Sequence, residues 1–522
     1  MSENTRVVKA AGIVGAATLL SRILGFVRDA VIAWYFGAGP ATDAFIVAFR
    51  IPNLLRRLFG EGSLSNAFVP VFTDYLIHRG KNEAFRLARS SLRFLSAILI
   101  VCVVLGIFLA PWIVRIIAPG FADTPDRLSL TILLTRIMFP YIFFIGLVAL
   151  CMGILNVLGH FAAPALAPVL LNLAMISAVV FISPHLKEAI IGLAIGVLIG
   201  GLMQLVLQWP FIAKKGIQFW KRTALIHSGL KKIGKIMLPV IIGGAVYQIN
   251  ILIGTLLGSL LKVGSVSYLY FADRLVQFPL GIFAIAAATA VLPSLARQAS
   301  TKDFEALKDT FAYALKLILF ITVPAMVGLI VLRIPIIKLL FQRGEFDVHA
   351  TRLTAEALLY YAMGLWAFSA VRIVVSTFFA LQDTRTPVKI AIISVIANAV
   401  LGVALMKPLA HGGLALATSL ASILNLGLLV GALRTKMGSF GWRSIAQSAC
   451  RTLVSSGFMG VAVWMVAVVL IPSDNPSLSA LLLGLTISIA TGLAVYGAIS
   501  FFAKSPELMG LLTEARNSLK KI

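Results

Sequence analysis

The sequence predicts an all-α, polytopic membrane protein with 14 transmembrane helices: two six-helix lobes forming an internal repeat, then two extra C-terminal helices. Three observations carry this expectation. Of 522 residues, 60% are apolar and only 12% charged, with mean hydropathy +0.98, too apolar for the charged surface of a soluble domain. Apolar runs of about 20 residues, the length that crosses hydrocarbon as a helix, recur along the whole chain, whereas the short alternating segments of a barrel are absent. Segments of the first half also reappear in order about 224 residues later.

The first span, 7–34, is apolar but carries Arg22, Arg28 and Asp29, and GAGP at 37–40 ends it. The second, 41–73, is interrupted at Gly60–Gly62. Spans at 89–117 and 127–156 are divided by APG at 118–120, and spans at 161–182 and 188–213 follow. A basic stretch with Phe219 and Trp220 leads into spans at 232–260, 264–296 and 306–332. The turn QDTRTP at 382–387 separates 347–381 from 387–407, and KPLAHGG at 407–413 introduces 411–434. The last two, 444–471 and 477–503, flank PSDNPS at 472–477 and are almost free of charge.

The repeat sets PATDAFIVAFRIPNLL (40–55) beside SVSYLYFADRLVQFPLG (265–281), so that Arg50 falls on Arg274, and LAPWIVRIIAPGF (109–121) beside RIPIIKLLFQRGEF (333–346). A six-span copy repeated in parallel places a site where the halves meet. The expected domains are 1–231 (spans 1–6 and a basic cytoplasmic loop), 232–436 (spans 7–12) and 437–522 (spans 13–14 and a tail). The net charge of +25 sits mainly in alternate short loops, the positive-inside pattern, so it points to a cytoplasmic-membrane protein with both termini inside rather than to nucleic acid.

The stretch from Ser21 to Glu61 is as apolar as a span, yet it is studded with charge. A charge at bilayer depth costs at least ~2.5–3.5 kcal/mol, so such residues are expected to face a polar cavity or a partner. Asp43, Arg50 and Arg57 recur every seven residues and drift only ~20° per step, which keeps them on one helix face that Asn53 and Glu61 can join. Phe45, Ala48, Ile51 and Phe59 form the apolar face. Arg22, Arg28, Arg50 and Arg274 would make a cavity positive, and arginine's planar fork suits phosphate. The plainer alternative is internal pairing of Arg22 with Asp29, Arg50 with Asp43 and Arg274 with Asp273. Arginines outnumber the acids in this stretch, so positive charge remains after pairing. Glu61, at the glycine break, is a gate or an ion-pair partner of Arg57. Arg136 and Arg372 either line the cavity or snorkel to an interface.

Enzyme motifs are missing: there is no phosphate-binding glycine loop, no histidine pair at ligand spacing and no cysteine cluster. The expectation is therefore no enzyme, no cofactor and no metal. Cys102, Cys151 and Cys450 all lie in apolar segments as small hydrophobes.

The motifs SRILGFVRDAVIAWYFGAG, ATDAFIVAFRIPNLLRRLFGEGSLSNAFVPVF, APGF, YFADRLVQFPLG and LPSLA closely resemble the MurJ (MviN) family of bacterial lipid II flippases. That family lies within the multidrug/oligosaccharidyl-lipid/polysaccharide exporter superfamily. The resemblance implies a transporter that moves the lipid-linked peptidoglycan precursor from the inner to the outer leaflet of the inner membrane by alternating access, for cell-wall synthesis. It implies lipid II, membrane lipids and cell-wall synthesis machinery as partners. It also implies cavity roles for Arg22, Arg28, Arg56 and Arg274, with Asp43 and Glu61 implicated. Helical phase favours Arg50 and Arg57 instead of Arg56, so all six arginines are candidates for the pyrophosphate; Asp29, Asp43, Glu61 and Asp273 are candidates for gating or ion pairing. The family's hydrophobic groove for the lipid tail would fall on spans 13 and 14. A sodium site in the family uses carboxylates in spans 7 and 11, where this sequence has Asn250 and Asn398. The alternative is a sister exporter of another polyprenyl-pyrophosphate-linked saccharide or of drugs.

Overall fold

A backbone in hydrocarbon must satisfy its own N–H and C=O groups, so the apolar runs fold as helices. The computed structural model describes residues 3–58, 64–218, 221, 223–438, 440–471 and 477–519, and none of these is in a strand. Glu61 and the Gly60–Gly62 break lie outside the described residues, as do Phe59, Phe219, Trp220 and most of PSDNPS. The chain packs as two units, Met1–Ser267 with Arg343–Phe346, and Tyr268–Gln342 with Asp347–Ile522.

The first unit contains α1 (Glu3–Phe36), α2 (Pro40–Leu58), α3 (Leu64–His78), α4 (Gly80–Ile117), α5 (Pro125–Met138), α6 (Tyr141–Val157), α7 (Ala162–Phe181), α8 (Ile190–Lys214) and α9 (Ser228–Ser259). In lipid, helices associate through close packing of small residues rather than by escape from water. The α7–α8 pair shows this: a Cβ on Gly196 would lie 2.6 Å from the Ala178 Cβ, and one on Gly200 would lie 2.7 Å from Leu171 Cδ1. Phe68 and Phe72 of α3, Leu87 and Leu99 of α4, and Ile154 of α6 are fully buried together in the core. The linker between α8 and α9 is tied to α4, because Arg93 donates to the carbonyls of Thr223 and Lys221 and Arg89 donates to the Thr223 hydroxyl.

The second unit takes most of α10 (Ser265–Pro279), then a π-helical turn (Leu280–Ala284) and α11 (Ile285–Ser300). It continues with α12 (Phe304–Val331), α13 (Arg333–Leu340), α14 (Val348–Ala362), α15 (Leu365–Ala380), α16 (Arg385–Met437), α17 (Trp442–Leu470), α18 (Leu478–Phe502) and α19 (Pro506–Leu519). Asp303 and Asp347 cap α12 and α14 by accepting from the N–H of Ala306 and Ala350, which would otherwise be orphaned. α17 and α18 pack on each other and on α12, and the Tyr496 hydroxyl donates to the Phe320 carbonyl at 2.6 Å.

Among the described residues, nine helical stretches are long and apolar enough to cross a membrane, with α5–α6 and α10–α11 each taken as one, or ten if the bent pair α14–α15 also counts as one. The difference from 14 has physical causes. α1 and α2 carry the charges noted above. In α9, Gly244–Ser259 is a shorter apolar helix among the described residues. α16 is two helices joined at Ala410 (φ 46, ψ −129), within the KPLAHGG turn. The short break between α5 and α6 at Phe139–Pro140 also has a counterpart, about 224 residues later, in the bent break at Met363–Gly364, in keeping with the repeat.

One carboxylate ties the start of α19 to α17, beside the apolar packing of Leu508 and Leu511. Glu507 is buried and accepts from the hydroxyls of Ser448 on α17 and Ser505, both at 2.6 Å. Burial raises its pKa, but these hydrogen bonds outweigh that and hold the carboxyl below its usual range. The dock is therefore complete above the ordinary carboxylate pKa and weakens as pH falls through the depressed one. Glu507→Ala is expected to cost about 1–3 kcal/mol locally and to speed proteolysis of the carboxyl-terminal segment, read by limited digestion and mass analysis.

Candidate functional site

α1 places Arg28 and Asp29 against α7, and only 8% and 2% of these residues is exposed. Arg28 Nε and Nη2 both donate to Asp29 Oδ1, at 3.0 and 2.6 Å, and Nη1 donates to Asn172 Oδ1 at 3.0 Å. Asn172 is oriented in turn, because its Nδ2 donates to the Ser21 carbonyl at 3.0 Å. Asp29 is thus bonded to the adjacent arginine. Arg22 is exposed on the same helix.

Asp43 is fully buried near the start of α2. It accepts from Arg127 Nη2 of α5 at 2.5 Å, from the Gly264 and Ser267 N–H at 2.7 and 2.8 Å, and from the Ser267 hydroxyl at 2.6 Å. A carboxylate at the first turn of α10 satisfies orphan N–H groups and meets the positive end of the helix dipole. The Arg127 guanidinium also lies 3.6 Å from the Phe121 ring centre. Arg127 of α5 is therefore the ion-pair partner of Asp43.

Along α2, Arg50, Arg56 and Arg57 are half-buried. Arg56 Nε donates to Asn53 Oδ1 at 3.1 Å, and the Arg57 guanidinium lies 5.9 Å from the ring centre of Tyr247 on α9. The helix is regular through Leu58, so Arg56 and Arg57 keep their ~100° difference in direction. Of the expected apolar face, Phe45 and Ala48 are buried and Ile51 is half-buried, but all of residues 42–48 are buried, Asp43 included, so burial does not single out that face. Asp29 and Asp43, the described acids of this stretch, are committed to Arg28 and Arg127, and the arginines of α1 and α2 outnumber them.

In the second unit, Arg274 is half-buried on α10, donates to the Tyr270 hydroxyl at 3.1 Å and lies 5.2 Å from that ring centre. Asp273 accepts from Gln277 at 3.3 Å. The π-helical turn begins six residues after Arg274, a distortion often found at functional sites. Arg136 and Arg372 are both exposed. Among the described residues, no three His, Cys, Asp or Glu side chains are grouped to hold a metal ion.

Helices that carry arginine through an apolar bundle are suited to an anionic ligand. Residues 32–474 match the family described as lipid II flippase MurJ. The chain belongs to the MurJ family. A probable lipid II flippase MurJ of Vibrio cholerae is 39% identical over 431 residues, covering 81% of this chain and 82% of that protein. A probable lipid II flippase MurJ of Rhizobium meliloti is 37% identical over 95% of this chain and 93% of its own length. Among solved structures, a lipid II flippase MurJ in an inward closed conformation superposes with TM-score 0.79 at 29% identity, covering 94% of this chain and 98% of that one. An inward-facing multidrug resistance MATE transporter of the MOP superfamily gives TM-score 0.65 at 18% identity over 79% of this chain and 94% of its own, which places MurJ and MATE proteins in one fold.

Proposed function

We propose that this chain flips lipid II from the inner to the outer leaflet of the cytoplasmic membrane for peptidoglycan synthesis. The observation that carries the reading is the family match over residues 32–474, which contains the charged helix α2 and Arg274. The chemistry agrees with it. A pyrophosphate cannot enter hydrocarbon unaided, and arginine forks replace its hydration with charge-assisted hydrogen bonds. The polyprenyl tail stays in lipid throughout.

In this reading Arg22, Arg28, Arg50, Arg56, Arg57 and Arg274 bind the pyrophosphate, and Asp29, Asp43, Glu61 and Asp273 set their positions or act in gating. Access to the arginines alternates between the two sides of the membrane. A membrane potential negative inside favours outward movement of the headgroup by ~2.3 kcal/mol per charge per 100 mV. The step makes and breaks no covalent bond. The topology is 14 spans with both termini cytoplasmic, divided as lobes 1–231 and 232–436 and a tail-binding segment 437–522. Membrane lipids and the cell-wall synthesis machinery are its surroundings.

The test is made in cells depleted of their own flippase and supplied with this chain. A membrane-impermeant probe should find outer-leaflet lipid II restored to near the undepleted level. Failure to restore it, at membrane levels equal to those of a working relative, would overturn the reading.

A further inference from the structure

Arg136 of α5 has no role in the transport reading above. It lies in the apolar segment Pro125–Val157, is exposed, and has no hydrogen-bond or ion-pair partner among the described residues. Helical phase fixes its direction. Arg127 is buried against Asp43 of α2, and nine residues later, at ~100° each, Arg136 projects from the opposite side. Ser129 and Leu133 are exposed on that side, whereas Thr131, Leu134, Thr135 and Met138 are buried.

One turn beyond Arg136, Pro140 forms a wall of a groove of about 170 Å³ between α4 and α6, completed by Ile100, Val103, Val104, Phe143 and Phe144. The groove opens beside the outward face of α4, where Val101, Leu105 and Phe108 are exposed. Residue 136 is about five residues from the middle of Pro125–Val157, so it sits ~7–8 Å from mid-bilayer. With a hydrocarbon half-thickness of ~15 Å, its guanidinium can snorkel towards the phosphate layer at the Pro125 end. The nearest acid on the exposed side is Asp126, ten residues or ~15 Å away, so the positive charge is uncompensated locally.

We propose that this α4–α5–α6 surface binds an anionic glycerophospholipid, with its phosphate on Arg136 and one acyl chain in the groove. The charge selects a net-negative headgroup, and the apolar walls select an alkyl chain beneath it. The proposal rests on the membrane reading above, and its orientation puts the lipid in the outer leaflet.

The test is native mass spectrometry of the purified full chain titrated with phosphatidylglycerol or phosphatidylcholine. Wild type should hold one phosphatidylglycerol more tightly than the rest. Arg136→Gln should weaken that adduct about fivefold. Val104→Trp, which fills the groove from the opposite wall, should weaken it too. Lys81→Gln, at the exposed start of α4, should leave it unchanged. Equal affinity of wild type and Arg136→Gln, equal retention of the two lipids, or the same loss with Lys81→Gln would each overturn the proposal. Binding is read without transport, so failure of the flippase reading gives a different signature: a retained adduct with no lipid II at the outer surface.

Discussion

Asp43→Ala is expected to destabilise the first unit by about 3–5 kcal/mol, the range for stranding one member of a buried ion pair. The substitution strands Arg127, which is only 5% exposed, and it removes the acceptor for two backbone N–H groups and the Ser267 hydroxyl. Stacking on Phe121 cannot neutralise the stranded guanidinium. Asp43→Asn should cost less, since an amide oxygen still accepts from α10 while the ion pair is lost. Asp43→Ala with Arg127→Met should recover part of the loss, because the uncompensated charge leaves with its partner. The measurement is thermal unfolding of the purified protein in detergent. An unchanged midpoint for Asp43→Ala, or strict additivity in the double variant, would show that the pair contributes nothing.

Much of the architecture was legible in the sequence, because membrane insertion imposes length and polarity on each helix separately. The APG, QDTRTP and KPLAHGG boundaries fall where helices end or bend, the last at Ala410. The seven-residue spacing puts Asp43, Arg50 and Arg57 on one face of α2, which is helical from Pro40 to Leu58, yet residues 42–48 are buried all round the helix. Spacing along one helix could not supply partners from other helices. Arg127 reaches Asp43 across 84 positions and Asn172 reaches Arg28 across 144, and no local pattern links them. Tyr270 was within reach of sequence reasoning, since it stands four residues before Arg274 on one helical face. Phase reasoning also passed over Arg28 with Asp29. Adjacent positions diverge by ~100°, yet a long guanidinium folds back far enough to take the neighbouring carboxylate.

That last pair decides what Arg28 is for. A structural role predicts that Arg28 exists to neutralise Asp29. Arg28→Ala should then fail because Asp29 loses the guanidinium beside it, and Arg28→Ala with Asp29→Ala should restore function. A substrate role predicts that the guanidinium is needed for itself. Asn172 supports the second view: its side chain is held by the Ser21 carbonyl so that its oxygen orients Nη1, a refinement that simple neutralisation does not require. We expect Arg28→Ala to abolish outer-leaflet lipid II at matched membrane levels and the double variant to stay inactive. Arg28→Lys should remain impaired, because an ammonium cannot give the planar, bidentate pattern to a phosphate. Arg274→Ala should fail alike; its guanidinium donates to the neutral Tyr270 hydroxyl. Restoration of exposure by the double variant would make Arg28 a structural residue and leave phosphate binding to the arginines of α2 and α10.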